Sequence, residues 1–534
     1  VTFFGRHRPL RLVLVAMLAV ALLACGKRDE PPAGVQAPLI PREAFTILAG
    51  SELKDLEAAI VSTASAAGVD LKLSYAGTLD IVERVNAGER FDAILPPNGA
   101  YPALALQTKP LAREKLFYSR IALGVKAAKV AQLGWNTNPP GWAEIAKVAG
   151  AGQLRYGMTN PTSSNTGMSA LFAVASALAG KTEDLDTRDV DEKRLRAFLS
   201  GQKLTAGSSG WLAQAYIANP SAIDAMVNYE AVILRANETL APPDKLTLIY
   251  PRDGMISADY PLMLLNGDKR DAYNRLVAAL KAAPFQRDAL SGAFLRPANP
   301  DVAAAAALPL TAVSELGFPN RLEVIDAVLG AYQAQWRKPA TSIFVLDISG
   351  SMKGPRLIAM RDALKELTGA AEGSNTAASA SNRYSAFQSR ERVVLITFAS
   401  QASTPVWVRF DPDKIDAARA SLRDQADAMV ADGGTAIYSA LSAAQELARQ
   451  ELAREPDRLV SIVLLTDGEN NAGMLLEDFR ARYSGGFAAR IFPILFGEGN
   501  VAEMQQIARL SGGREFDGRN LQLRQVFKEI RGYQ

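Results

Sequence analysis

The chain of 534 residues holds one cysteine, Cys25, and one histidine, His7. Everything after residue 25 therefore lacks both side chains. That absence excludes thiol nucleophiles, Ser-His-Asp triads, Cys/His zinc sites, haem held by histidine and intrachain disulfides from the body of the protein. A metal there has to be held by oxygen, and catalysis would be left to carboxylates, hydroxyls, lysine or tyrosine. Long apolar runs are missing too, so no segment reads as a bilayer-spanning helix.

Nor is there an excess of one charge. The formal charge is +3, from 59 Lys+Arg and 56 Asp+Glu, and Arg6, Arg8 and Arg11 supply three of the positive charges. Without those arginines, bases and acids balance at 56 each. A basic surface is not expected, and neither is a nucleic-acid partner. With 48% hydrophobic and 22% charged residues, the composition is that of a folded chain. Its length allows three or four compact units of about 150 residues.

What is present begins with an address. Residues 6–11 are basic, 12–23 are apolar, and Leu22-Leu23-Ala24-Cys25-Gly26 closes the run. Twelve apolar residues are too few for a stable span and fit a signal peptide. Val1 is read as a non-ATG start codon translated literally. The 22–26 stretch resembles a bacterial lipobox, which implies lipidation of Cys25. Residues 1–24 are thus expected to be a lipoprotein signal peptide. Residues 25–44, rich in Pro, Gly and charge, are expected to be a flexible tether. The expected location is the cell envelope, periplasmic or on the outer surface, with a lipid anchor in the membrane.

From residue 45 to about 316, short apolar runs alternate with helical patterns. Phe45-Thr46-Ile47-Leu48 precedes helical spacing over 53–66 and then Leu71-Lys72-Leu73, with further strands expected at 91–95, 121–125 and 246–250. The alternation predicts an α/β fold with a largely parallel sheet, and its length asks for two lobes. Four local features stand out. They are Ala49-Gly50-Ser51-Glu52-Leu53; Tyr75-Ala76-Gly77-Thr78-Leu79-Asp80 with Phe91-Asp92-Ala93; the 157–167 loop ahead of a helix over 168–179; and Asn228-Tyr229-Glu230 with Tyr250-Pro251-Arg252-Asp253-Gly254. In order and spacing these resemble the two-lobed bacterial periplasmic solute-binding proteins related to oxyanion receptors, over most of 45–300.

That resemblance implies a small oxyanion-like solute between the lobes. Unpaired N–H groups and the dipole at helix N-termini favour such an anion. The hydroxyls of Ser51, Thr78, Ser163, Ser164 and Thr166 are the candidate ligand-binding groups. The same residue types also serve as ordinary N-caps, and for Ser208, Ser209 and Trp211 that plainer reading is preferred. The module is expected over 45–318. A linking helix over 319–338 follows, with Leu322, Val324, Ile325, Val328, Leu329 and Tyr332 at helical spacing.

Residues 339–534 carry a second alternation. A buried-strand pattern over 341–346 runs into Asp347-Ile348-Ser349-Gly350-Ser351. Gly433-Gly434-Thr435 opens a helix over 436–454, and a strand over 459–465 ends in Thr466-Asp467-Gly468-Glu469. Loops at the carboxyl ends of neighbouring strands gather at one edge of a doubly wound sheet, so the three segments can meet. They resemble the von Willebrand factor A (VWA) domain with its metal-ion-dependent adhesion site. Asp347, Ser349 and Ser351 match the DxSxS part, Thr435 the threonine and Asp467 the second aspartate. Strands over 393–398 and 491–496 and helices over 412–429, 501–510 and 521–531 continue the pattern.

Ligation by oxygen alone favours Mg²⁺ or Mn²⁺. The resemblance implies that an open position on the metal accepts an acidic side chain from a partner protein. Glu469 reads as surface or supporting, and no enzyme activity is expected. Residues 373–390, rich in Ser, Asn, Ala and Gly, read as a solvated insertion of no specific function. The expected whole is a two-lobed periplasmic-binding-protein-like module followed by a doubly wound, Rossmann-like VWA domain. Two functions stay open: metal-dependent protein binding at the envelope, or a receptor for an ABC-type importer with the VWA domain as accessory; an envelope hydrolase is held in reserve.

Overall fold

A computed structural model of the protein describes residues 42–369, 384–497, 499–519 and 523–533. The expected signal peptide, Cys25, nearly all of the tether and most of the 373–390 insertion lie outside the described residues. The first strand begins at Glu43, inside the expected tether.

In chain order the first module contributes β1 (Glu43–Gly50), β2 (Val69–Ala76), β3 (Ala93–Leu95), β4 (Ala112–Lys115), β5 (Phe117–Tyr118) and β6 (Ile121–Lys126). It continues with β7 (Tyr156–Thr159), β8 (Gln202–Ala206), β9 (Ala225–Tyr229), β10 (Leu246–Ile249), β11 (Pro261–Leu264) and β12 (Arg296–Pro297). Two five-stranded sheets result, ordered β2-β1-β3-β11-β4 and β10-β6-β9-β7-β8, one to each lobe, and β12 pairs antiparallel with β5 in a two-stranded third. The chain leaves the first lobe near β5 and returns ahead of β11, where Ser119 and Ala258 pair antiparallel.

Both sheets are mixed, where a largely parallel one was expected. β1 runs parallel to β2 and β3, but β11 is antiparallel to β3 and β4. In the second lobe β6 is antiparallel to β9 and β10, while β7 is parallel to β8 and β9. A chain that crosses between lobes and comes back sends its returning strand into the sheet from the opposite end. Such a return is invisible to periodicity, which reads strands without their direction.

The second module adds β13 (Ala340–Asp347), β14 (Glu391–Phe398), β15 (Val406–Phe410), β16 (Leu459–Thr466), β17 (Arg490–Leu495) and β18 (Phe516–Asp517). They form one sheet, β15-β14-β13-β16-β17-β18, parallel except for the edge strand β15. Side chains alternate across β13 as the pleat requires. Ile343 and Val345 pack with Ile437, Leu441, Phe479 and Ile507 on one face. Phe344 and Leu346 pack on the other with Met360, Leu422, Val526 and Phe527.

That second face is continuous with the core of the lobes through the helix Leu322–Ala331, whose buried stripe is Val324, Ile325, Val328 and Leu329. Residues 43–534 accordingly form one compact unit. The described end of the 373–390 segment belongs to this core. Tyr384, Ala386 and Phe387 are buried, and the Phe387 ring meets Phe344 edge-on at 6.0 Å. Expected as solvated loop, this end is instead an anchor, because two aromatics outweigh the polar residues around them. Among the described residues no helix is long and apolar enough to cross a membrane.

Candidate functional site

β13 and β16 are parallel neighbours, with Leu346 opposite Leu465, so Asp347 and Asp467 emerge at the same edge of the sheet. Asp347 Oδ1 accepts from the Ser349 amide at 2.8 Å, which folds the loop back on itself. Its Oδ2 accepts from the Thr466 hydroxyl at 2.6 Å. The Ser349 and Ser351 hydroxyls lie 3.0 Å apart, and Ser351 Oγ donates to Asp467 Oδ1 at 2.8 Å.

Thr435 arrives from the loop before the helix Ile437–Arg454. That loop is tied to the first by the Gly350 amide on the Gly433 carbonyl at 3.0 Å, and the Thr435 amide donates to Asn471 Oδ1 at 2.7 Å. A Cβ placed on Gly468 would lie 3.8 Å from Ser351 Oγ and 3.9 Å from Thr435 Oγ1, so both hydroxyls approach one point. The five expected residues therefore gather at one edge. Asp347, Ser349, Thr435 and Asp467 are all buried.

Burial pushes the Asp347 carboxyl above its usual range, and the charge of Asp467 adds to that against hydrogen bonds from Ser349 and Thr466. Arg356, near the start of the helix Pro355–Glu366, lays its guanidinium on Asp467 Oδ2. Two buried carboxylates and three hydroxyls, with a side-chain cation already drawn to them, fit a hard divalent ion. No group of three or more His, Cys, Asp or Glu suited to a metal occurs among the described residues. Glu469 is exposed. Sequence reasoning missed Arg356 and Asn471, which follow the matched segments by a few residues and carry no pattern of their own.

The second candidate site lies between the lobes. Thr78 opens the helix Thr78–Asn86 and Ser164 precedes the helix Asn165–Leu178, of which every residue but Ala177 is buried. A Cβ on Gly77 would stand 2.2 Å from the Ser163 carbonyl oxygen, so the lobes touch there and only glycine fits. Glu52, Tyr229, Arg235 and Tyr260, among others, line a cavity of about 10 Å³. It has room for one water.

Thr78 and Thr166 are each 1% exposed; the Thr78 hydroxyl has no hydrogen-bond partner among the described residues, and the Thr166 side chain interacts with the Tyr229 phenol. Ser164 sits in extended conformation before its helix and makes no side-chain cap bond, and Ser51 opens the helical turn Ser51–Leu56. Ser163 departs from the expectation. Its hydroxyl donates to Asn160 O at 3.3 Å and to Gly207 O at 3.5 Å, on the side where Gly532 of the second module packs. Ser208 is an ordinary N-cap, accepting from the Trp211 amide at 3.4 Å, as the plainer reading had it.

Four residues of this region were not singled out from sequence as ligand groups. Asn165 Nδ2 donates to the Tyr229 hydroxyl at 3.0 Å and leaves its Oδ1 unpartnered. The Tyr229 and Tyr260 rings lie 6.3 Å apart. Glu52 folds back over Gly50, and burial pushes its carboxyl up to about 7 against a hydrogen bond with Tyr260 and the charge of Arg235. Glu230, by contrast, is fully engaged near the crossover: it accepts from Arg296 at 2.6 and 2.8 Å, from the Arg120 amide at 3.0 Å and from the Tyr250 hydroxyl.

Residues 45–287 match the family model of the bacterial extracellular solute-binding protein, and residues 342–469 match that of the von Willebrand factor type A domain. The chain joins a solute-binding module to a VWA module. The first family is extracellular, in agreement with an envelope location for the solute-binding module. That module is similar in structure to a ferric binding protein from Campylobacter jejuni (14% identity, TM-score 0.44, 54% of this chain and 98% of that one). It is similar also to the sulfate-binding protein SubI from Mycobacterium tuberculosis (18%, TM-score 0.37, 55% and 97%). A von Willebrand factor type A structure from Catenulispora acidiphila is 19% identical with a TM-score of 0.28, over 37% of this chain and 42% of that one. Likenesses at this level carry nothing about what the present chain binds. A comparison with curated proteins gives no match.

Proposed function

We propose that the protein is an envelope lipoprotein, anchored through Cys25, whose VWA module binds a partner protein through Mg²⁺ or Mn²⁺ while the solute-binding module recognises a small ligand. The observation that carries this reading is the convergence of Asp347, Ser349, Ser351, Thr435 and Asp467 at the edge between β13 and β16. A divalent ion bound there would supply a Lewis-acid position open to a carboxylate of the partner. The chain's own residues set up that position. Thr466 and the Ser349 amide orient Asp347, Asp467 holds Ser351, and Asn471 fixes the loop that carries Thr435. Catalysis is not part of the proposal, since Glu469 is exposed and histidine is missing from the body of the chain.

Calorimetry tests the metal. Mg²⁺ or Mn²⁺ is expected to bind the wild type and to fail with Asp347→Ala or Thr435→Ala; identical titrations of all three would sink the reading. Labelled fatty acid entering the wild type but not Cys25→Ser tests the anchor.

A second reading, a receptor for an ABC-type importer, is favoured by the closed cleft with its unpartnered polar groups. Capture of a membrane permease regardless of metal would select it.

A further inference from the structure

We propose that the last helix of the VWA module is a latch on the two lobes: it braces the segments through which they touch, and a solute enters between them only after it lets go. The latch is read from contacts; its consequence for a solute rests on the solute-binding reading above.

The brace starts in the VWA core. On the helix Leu523–Arg531, Val526, Phe527 and Ile530 are at most 1% exposed, and the Phe527 ring lies 5.8 Å from that of Phe344 on β13. Arg531 donates to both carboxylate oxygens of Glu391 at 2.8 Å. A close-packed stripe and a buried ion pair make the helix move with the VWA sheet.

The other side of this element meets both lobes at the place where they meet each other. Gly77 of the first lobe touches the Ser163 carbonyl of the second. Gly77 immediately precedes the helix Thr78–Asn86, and on that helix Glu83 accepts from Lys528 with both carboxylate oxygens. Ser163 is covered by Gly532, where a Cβ would stand 2.8 Å from Ser163 Oγ and 2.8 Å from the Gly207 Cα. The Tyr533 ring follows, so near Gly207 that a Cβ on that glycine would lie 2.6 Å from it. Gly207 and Gly532 thus bring the two backbones closer than larger residues allow.

The second lobe is tied to the same body once more, since Gln333 of the linking segment donates to Thr162 Oγ1 at 2.6 Å, next to Ser163. The tie to the first lobe at Glu83 is electrostatic. Lys528 and Glu83 are 15% and 12% exposed, so solvent and salt screen the pair less than a surface pair.

Residues of both lobes line the cavity between them, which has room for one water. Any larger solute needs the lobes apart. Parting Gly77 from Ser163 breaks the Lys528–Glu83 pair or lifts Gly532 and Tyr533 off Ser163 and Gly207.

Nitroxide labels test this on the full chain, because Cys25 is its only cysteine. With Cys25→Ser, labels on exposed Arg90 of the first lobe and exposed Lys193 of the second report the distance between lobes by double electron–electron resonance. One narrow distance is expected in the otherwise wild-type chain, and a second, separate population in Lys528→Glu. The paired reversal, Lys528→Glu with Glu83→Lys, is expected to restore the single distance, which damage to the fold would not do. One unchanged distance in Lys528→Glu and in Gly532→Val alike would overturn the proposal. A second population that survives the paired reversal would overturn it as well. Should Gly532→Val fail to fold, the charge reversals decide. Lobes that part in Lys528→Glu yet bind no phosphate, sulfate or amino acid would leave the latch standing and count against the solute-binding reading instead.

Discussion

Lys528, on the last helix of the VWA module, lies 3.0 and 3.1 Å from the two carboxylate oxygens of Glu83, on the helix that Thr78 opens in the first lobe. Two residues past that same helix, the Tyr533 ring meets Trp211 of the second lobe edge-on at 4.7 Å. One element of the VWA module therefore touches both lobes. It also packs against the helix Pro355–Glu366, which starts just past the Asp347–Ser351 loop. The contact between the lobes and the Asp347–Asp467 cluster thus share a structural neighbour.

Tyr533→Ala removes a side chain that is 2% exposed, so a loss of about 3 kcal/mol is expected from packing alone. The combination Lys528→Ala and Tyr533→Ala is expected to loosen the lobes, read as a larger radius of gyration in solution scattering of the ligand-free protein. An unchanged radius with intact folding would mean that the last helix does not hold the cleft.

Arg356 holds Asp467 through its guanidinium and would compete there with the proposed metal. Arg356→Gln is expected to tighten Mg²⁺ or Mn²⁺ binding and to reduce its sensitivity to salt, both measured by titration. Weaker binding would assign the guanidinium a supporting role instead.

Glu52 gives a pH dependence with a definite sign. Its carboxyl is raised from 4.5 to about 7 by burial, so the folded protein binds more protons than the unfolded one in that window. The ligand-free protein should lose stability as pH rises from about 4.5 to about 7, by at most about 3 kcal/mol from this group. Arg235 draws Glu52 downward, Asp55 lines the same cavity, and the phenols of Tyr229 and Tyr260 are pushed up and stay neutral throughout. Denaturant titrations across that window should show a flatter profile for Glu52→Gln. Parallel profiles would contradict the assignment.

Glu391 is buried with two guanidinium groups, Arg337 and Arg531, the latter at 2.8 Å. Burial pulls both arginines down to about 9. Glu391→Gln leaves two buried cations without their counter-charge, and a destabilisation of about 3–5 kcal/mol is expected in chemical unfolding. Near-neutral behaviour would mean that solvent reaches the group.

The gathering of the five candidate residues was legible because each of its parts is local. Asp347, Ser349 and Ser351 fall within one strand end, while Thr435 and Asp467 each stand at the boundary of an element with strong periodicity. The solute cleft was legible only as loops. Glu52 and Tyr260 meet because the chain crosses between lobes and returns, and no spacing rule records that. Ser163 looked equivalent to Thr166 in sequence, yet its hydroxyl turns toward Gly207 and the second module, a choice made by packing between modules. Tyr384 and Phe387 were hidden among serines and alanines, where composition outvoted two buried aromatics.

Capture of partners from the native envelope, with Mg²⁺ or with chelator, tests the central claim most directly. The account predicts a protein partner that is crosslinked to the wild type in Mg²⁺ and lost both in chelator and in Asp347→Ala. A partner retained in chelator and in Asp347→Ala alike would contradict binding through the metal.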